Sequence, residues 1–110
     1  MATNLLSQQQ WTSDDVHAAL RYTSPTIRCV ISYEISGAPY DPNRVYSPYK
    51  YGSEQERGPA QLHPQGLLND FFRRGYIDPF SPYSAVQYME QREADGGLNT
   101  NNWPPLRFCQ

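Results

Sequence analysis

Eleven of the 110 residues in this chain are acidic, and Glu34 is the one whose surroundings suit acid–base chemistry. Ile27, Val30, Ile31 and Ile35 recur at helical spacing, and Gly37 supplies a stop, so Glu34 falls in the last turn of the most apolar helix. A carboxylate there meets the negative end of the helix dipole and a hydrophobic neighbourhood. Both disfavour its charged form and push its pKa up, as a general acid near neutral pH requires. Helical periodicity taken alone reads the same residue as an ordinary surface glutamate on the helix's polar side.

Other chemistries find little support. His17 and His63 are separated and have no cysteine or carboxylate partner at ligand spacing, so no metal site is expected. There is no G-x-S-x-G, no phosphate-cradling glycine loop and no Cys–His arrangement, and no cofactor is implied. A formal net charge of -2 gives no electrostatic case for nucleic acid. No apolar run approaches membrane-spanning length. Cys29 and Cys109 could close a loop of about eighty residues, worth roughly 4–5 kcal/mol in the chain-entropy model. The alternative is one buried thiol and one dangling thiol. A small domain with a loop-rich middle favours the staple, and with it an oxidising compartment.

The elements that must position Glu34 follow from local signals. The length suits one domain. An aromatic share of 14%, with nine tyrosines, argues against disorder. Residues 1–12 form a polar lead-in with one aromatic anchor, Trp11, and lack a secretory signal's basic and apolar regions. Either a native signal was removed, or the protein acts without one, as a phage-encoded enzyme does. The domain proper is expected at 13–110. Ser13 reads as the N-cap of a first helix with Asp14 and Asp15 in its first turn and Val16, Ala19 and Leu20 on its apolar stripe. Ser24-Pro25 starts the second helix, the one that carries Glu34. From Ala38 to Arg57 the pattern is aperiodic, a length of irregular chain that is usually functional. Leu67, Leu68, Phe71 and Phe72 give the face of a third helix closed by Arg73, Arg74 and Gly75. Ser81-Pro82 opens a fourth with Ala85, Val86 and Met89, and Gly96-Gly97 ends it. No repeat and no strand pair is visible, so the class is all-α, α+β at most.

Four pieces of the chain lie in an informative order. Ile27-Arg28-Cys29-Val30-Ile31-Ser32-Tyr33-Glu34 is followed by Tyr40-Asp41-Pro42-Asn43-Arg44-Val45. Gly58-Pro59-Ala60-Gln61-Leu62-His63-Pro64 comes next, and Gly75-Tyr76-Ile77-Asp78-Pro79 then leads into the Tyr83–Tyr88 helix. Over these sixty-odd residues the chain resembles the catalytic domain of soluble lytic transglycosylases and goose-type lysozymes. In that family the first piece ends in the catalytic glutamate, and the second is a loop usually written E-S-G-F-D-P-N-A-V. The third is G-L-M-Q-L-x-P, whose glutamine lines the sugar site, and the fourth is a G-x-x-D-P turn. Ile35 stands where the family has serine, with Ser36 one place later. The loop from Glu34 to Asp41 is three residues longer than the common form, and the family's later N-A-G segment with its active-site tyrosine is not visible. Cys29 and Cys109, the latter following Trp103, look like the compact resuscitation-promoting-factor type of domain, a trimmed lysozyme core stapled by a disulfide.

The resemblance implies a small lysozyme-like fold acting on peptidoglycan glycan strands, extracytoplasmic or secreted, and a monomer. The bond cleaved would be the β-1,4 link between N-acetylmuramic acid and N-acetylglucosamine, with Glu34 as catalytic acid. Lytic transglycosylases resemble an economical glycosidase in which that glutamate later acts as base while the muramic 6-hydroxyl attacks. Attack by water would instead enlist a second carboxylate, for which Asp41, Glu54 and Glu56 are the nearest candidates. Each of these also reads as a solvated loop charge. The motif makes Gln61 a sugar contact, since its amide both donates and accepts. Tyr46, Tyr49 and Tyr51 could stack on sugar faces or serve as packing anchors, with Tyr51 preferred as substrate contact; Tyr83 and Glu56 complete the expected substrate-binding set. A non-catalytic glycan-binding module on the same fold, and an interaction protein in which Glu34 is structural, remain the alternatives.

Overall fold

The computed structural model describes residues 10–110, and nearly all of the anticipated lead-in lies outside them. Among the described residues four α-helices and a short 3-10 turn surround one core: α1 (Ser13–Arg21), α2 (Pro25–Ser36), α3 (Leu67–Arg73), α4 (Pro82–Ala94), then Pro104–Arg107. Among the described residues the only β pairing is two isolated bridges, Tyr51 with Arg57 and Arg57 with Leu62. No helix among them is long and apolar enough to cross a membrane. The all-α expectation holds at this level.

Three helix starts depend on hydroxyl caps. The cap of α1 is Thr12 rather than Ser13. Thr12 Oγ1 accepts from Asp15 N while Asp15 Oδ2 accepts from Thr12 N, at 2.9 Å. This reciprocal box needs an acid three residues after the cap, and only Thr12 has Asp15 at that distance. Ser13 is thereby released to accept from Tyr46 N at 2.9 Å, tying the irregular segment to α1. Ser24 and Ser81 cap α2 and α4 as expected, each followed by proline at the first helical position. At the end of α2, Gly37 takes the left-handed conformation (φ 72°) and donates its amide to Tyr33 O.

Val16 and Leu20 of α1, Ile27, Val30 and Ile31 of α2, and Ala85, Val86, Tyr88 and Met89 of α4 form the centre of the core. In α3 only Leu68 and Phe71 are buried, whereas Phe72 is 44% exposed. Adjacent helical positions point about 100° apart, so a two-turn helix cannot bury both phenylalanines. Phe71 wins, stacked on Tyr76 and edge-on to Tyr88.

The C-terminal segment is an integral wall of the domain. Trp103 is fully buried and its indole N–H donates to Ala60 O at 2.9 Å, satisfying the ring's only polar atom. Cys109 is bonded to Cys29 of α2 across 80 residues of sequence. The disulfide thus closes the end of the chain onto the helix that carries Glu34.

Candidate active site

Glu34, Glu56 and Gln61 line one groove of about 420 Å³, together with His63, Asn101 and Asn102 and apolar contributions from Leu67 and Pro104. Each arrives there by a separate local device. Glu34 is delivered by the last turn of α2. Its carboxyl is pushed up to about 7, chiefly by burial; the Lys50 ammonium opposes the rise and the Glu56 carboxylate adds to it. The sequence expectation of a raised value is therefore met, with desolvation as its main cause.

Glu56 is set by a tight turn. Gly52 N donates to Glu56 O at 2.8 Å and Gln55 N donates to Gly52 O at 3.1 Å, with Gln55 in the left-handed region (φ 68°). The returning strand-like residue Arg57 pairs with Leu62, and between them Gly58 and Gln61 complete a second turn. Gln61 itself has φ 48°, a conformation that costs a non-glycine residue energy and that clusters at functional sites. Two side-chain hydrogen bonds hold it there: Nε2 donates to Gly58 O at 3.0 Å and to Lys50 O at 3.2 Å. Both partners are carbonyls, so the amide orientation is unambiguous, and Oε1 is left as an acceptor for a ligand's N–H or O–H.

Gly52 is required by this arrangement. A Cβ there would stand 2.5 Å from Glu56 Oε1 and 2.7 Å from Gln61 Oε1. The two oxygens converge over a bare backbone. Gly58 is required for a different reason: at φ 79° its Cβ would overlap the carbonyl oxygen of Pro79. This is how the Asp78-Pro79 turn meets the Gln61 segment. Asp78 in turn accepts Phe80 N and the Trp11 indole N–H, at 2.9 and 2.8 Å.

The three candidate second carboxylates separate cleanly. Asp41 caps its own turn by accepting Asn43 N, and Glu54 accepts His63 Nε2 at 3.0 Å. His63 Nδ1 accepts Gln65 N, so the neutral ring carries its proton on Nε2. Only Glu56 lines the groove with Glu34.

The tyrosines lie elsewhere. Tyr51 is exposed, tilted against Phe80 and under Arg57, and does not line the groove. Tyr83 lies between α1 and α4, where its hydroxyl donates to Asp15 Oδ1 and its ring meets Trp11 edge-on. Tyr46 is a packing anchor: its buried hydroxyl bonds Ser32 Oγ at 2.8 Å and accepts Asp41 N. Tyr49 accepts Trp11 N at its hydroxyl. Asn101, Asn102 and His63 are groove residues that sequence reasoning did not assign. The only available signal was Trp103, whose anchoring on Ala60 brings its asparagine neighbours beside Gln61.

No protein-family model, curated protein or solved structure matches the chain.

Proposed function

We propose that this domain cleaves the β-1,4 glycosidic bond between N-acetylmuramic acid and N-acetylglucosamine in peptidoglycan, with Glu34 as the acid. The observation that carries this reading is the Glu34 carboxyl, pushed up to about 7 by burial, in a groove beside Gln61 and Glu56. A protonated Glu34 transfers its proton to the glycosidic oxygen as the C1–O bond breaks and positive charge develops on the sugar ring. The resulting carboxylate then takes a proton from the attacking nucleophile. Where the muramic 6-hydroxyl attacks, the product is a 1,6-anhydro sugar and Glu34 suffices. Where water attacks, Glu56 is the carboxylate available to help activate it. Gln61 Oε1 accepts from a sugar hydroxyl or acetamido N–H, and Asn101 and Asn102 supply further amides along the groove. Leu67 and Pro104 offer apolar surface to an acetyl methyl or a ring face. The disulfide suits work outside the cytoplasm, and the chain is taken to act as a monomer.

The test is digestion of purified peptidoglycan by wild type and Glu34→Gln, with products read by mass spectrometry. Anhydro-muropeptides lost in the variant support the transglycosylase route; new reducing ends lost in the variant support hydrolysis. Sedimentation with the wall without release points to a glycan-binding module on the same groove. Absence of both binding and release would overturn the glycan reading.

A further inference from the structure

On another part of the surface, α1, α2 and the irregular segment enclose a cleft of about 470 Å³ lined by His17, Arg21, Arg28, Tyr40 and Pro42. It shares no lining residue with the Glu34 groove. Its lining side chains carry two guanidinium groups and no carboxylate. Among the described residues no carboxylate forms an ion pair with Arg21 or Arg28. Both arginines line the cleft, and their charges bear on the Tyr40 hydroxyl, where the Asp41 carboxylate offsets part of them.

The cleft is also held rigid. Arg28 Nε donates to Leu20 O at 2.8 Å, and its Nη2 donates to Thr23 O and Arg21 O at 3.1 and 3.3 Å. These bonds fix the guanidinium plane and leave Nη1 uncommitted. Opposite it, His17 Nε2 lies 2.7 Å from Arg44 O, a carbonyl that can only accept, so the neutral ring carries its proton there. His17 Nδ1 therefore accepts from the Tyr40 hydroxyl at 2.6 Å, which locks the tyrosine wall. Two like charges without an ion-paired carboxylate favour an anion that neutralises both, and a cleft lined by them concentrates such ligands. Guanidinium groups bind oxyanions by paired, charge-assisted hydrogen bonds.

We propose that this cleft is an oxyanion-binding site, separate from the Glu34 groove, and that it takes a phosphate group in preference to a carboxylate. Two cationic side chains match a dianion better than a monoanion. Arg28 offers its two free Nη1 hydrogens from a guanidinium already fixed by backbone carbonyls, Arg21 closes over the ligand from the last turn of α1, and Tyr40 and Pro42 form the apolar floor for whatever body carries the phosphate.

The test is titration of the 15N-labelled protein with inorganic phosphate, followed through the arginine Nε–H and backbone resonances at constant ionic strength. Saturable shifts centred on Arg21, Arg28 and Tyr40 are expected, with acetate binding more weakly and chloride producing none. Arg21→Gln leaves the exposed end of α1 folded and is expected to weaken phosphate about tenfold, the usual loss for one charge-assisted pair. Glu34→Gln is expected to bind phosphate as the wild type does, which separates this site from the glycan groove. Non-saturating shifts, shifts matched by chloride, or phosphate binding unaltered in Arg21→Gln would overturn the proposal. Acetate binding as tightly as phosphate would overturn the preference for a dianion.

Discussion

Lys50 Nζ donates a 2.9 Å hydrogen bond to the backbone carbonyl of Glu34. The same lysine's own carbonyl accepts from Gly58 N and from the Gln61 side chain, at 3.0 and 3.2 Å. One residue of the irregular segment therefore satisfies a free carbonyl at the end of α2, places a positive charge near the Glu34 carboxyl, and orients the glutamine beside it. Lysine near a helix C-terminus is favourable for the dipole as well. The Glu34 pKa is thus a balance: burial dominates, and Lys50 and Glu56 trim it in opposite directions.

That balance can be read from pH–rate profiles. A general acid works while protonated, so kcat is expected to fall as pH rises through about 7. Lys50→Met removes the charge that lowers the value, and the alkaline limb should move up. Glu56→Gln removes the charge that raises it, and the limb should move down. Limbs that stay in place in both variants would detach this limb from Glu34.

Stability should show the same group with a definite sign. The folded value of about 7 lies above the ordinary 4.5, so the unfolded chain ionises first. Stability linked to Glu34 is complete below about 4.5 and is lost as pH rises to about 7. Glu34→Gln escapes this loss. Its advantage over wild type is expected to appear between these limits and to reach ~3 kcal/mol at most above them. Urea denaturation at pH 4 and pH 8 measures the difference.

Turnover should depend on Glu34 far more than on the amides. Glu34→Gln is expected to lower kcat by roughly 10²–10⁴-fold. Asn101→Ala and Asn102→Ala each remove one neutral hydrogen-bonding group, and KM should rise about 2–10-fold with kcat retained. Steady-state kinetics on a soluble glycan oligomer separates the two behaviours.

Gly52→Ala is expected to disturb the site without unfolding the domain. The added methyl meets the side-chain ends of Glu56 and Gln61, whose displacement breaks only their turn hydrogen bonds, so Tm should fall modestly. Their displacement from the groove should raise KM. Gly58→Ala is the contrasting case, because there the methyl meets fixed backbone at Pro79 and a positive φ is lost. Thermal unfolding of the pair is expected to show a much larger drop for Gly58→Ala.

Removing the disulfide with Cys29→Ala/Cys109→Ala should cost about 4–5 kcal/mol, less any relief of native strain. The wall carrying Asn101 and Asn102 then relies on buried Trp103 and Leu106 and on the Phe108 ring against Tyr33 of α2 for its place. Denaturant midpoints with and without reductant test the stability, and KM at a temperature where the variant stays folded tests the wall.

The starts and stops of the helices were legible in sequence because they rest on local chemistry. Ser24-Pro25, Ser81-Pro82 and Gly37 act within a few residues of themselves, and apolar spacing orients each helix without reference to the others. Even the one misplaced start, Ser13 for Thr12, differs by a single residue, because the deciding Asp15 was itself nearby. The position of Glu34 at the end of an apolar helix, and the direction of its pKa shift, follow from the same short-range pattern. Which residues share its groove does not. Asp41, Glu54 and Glu56 are equivalent as loop acids until the Gly52 turn brings Glu56 alone to the groove and His63 takes Glu54. Tyr51 and Tyr83 resemble sugar platforms in a linear chain, yet the packing of Phe80 and Asp15 keeps them out of the groove. Asn101 and Asn102 enter it because a buried tryptophan and a bond between residues 29 and 109 fold the end of the chain back. Burial, convergence and pairing across such distances depend on the whole core, and only the tertiary structure could decide them.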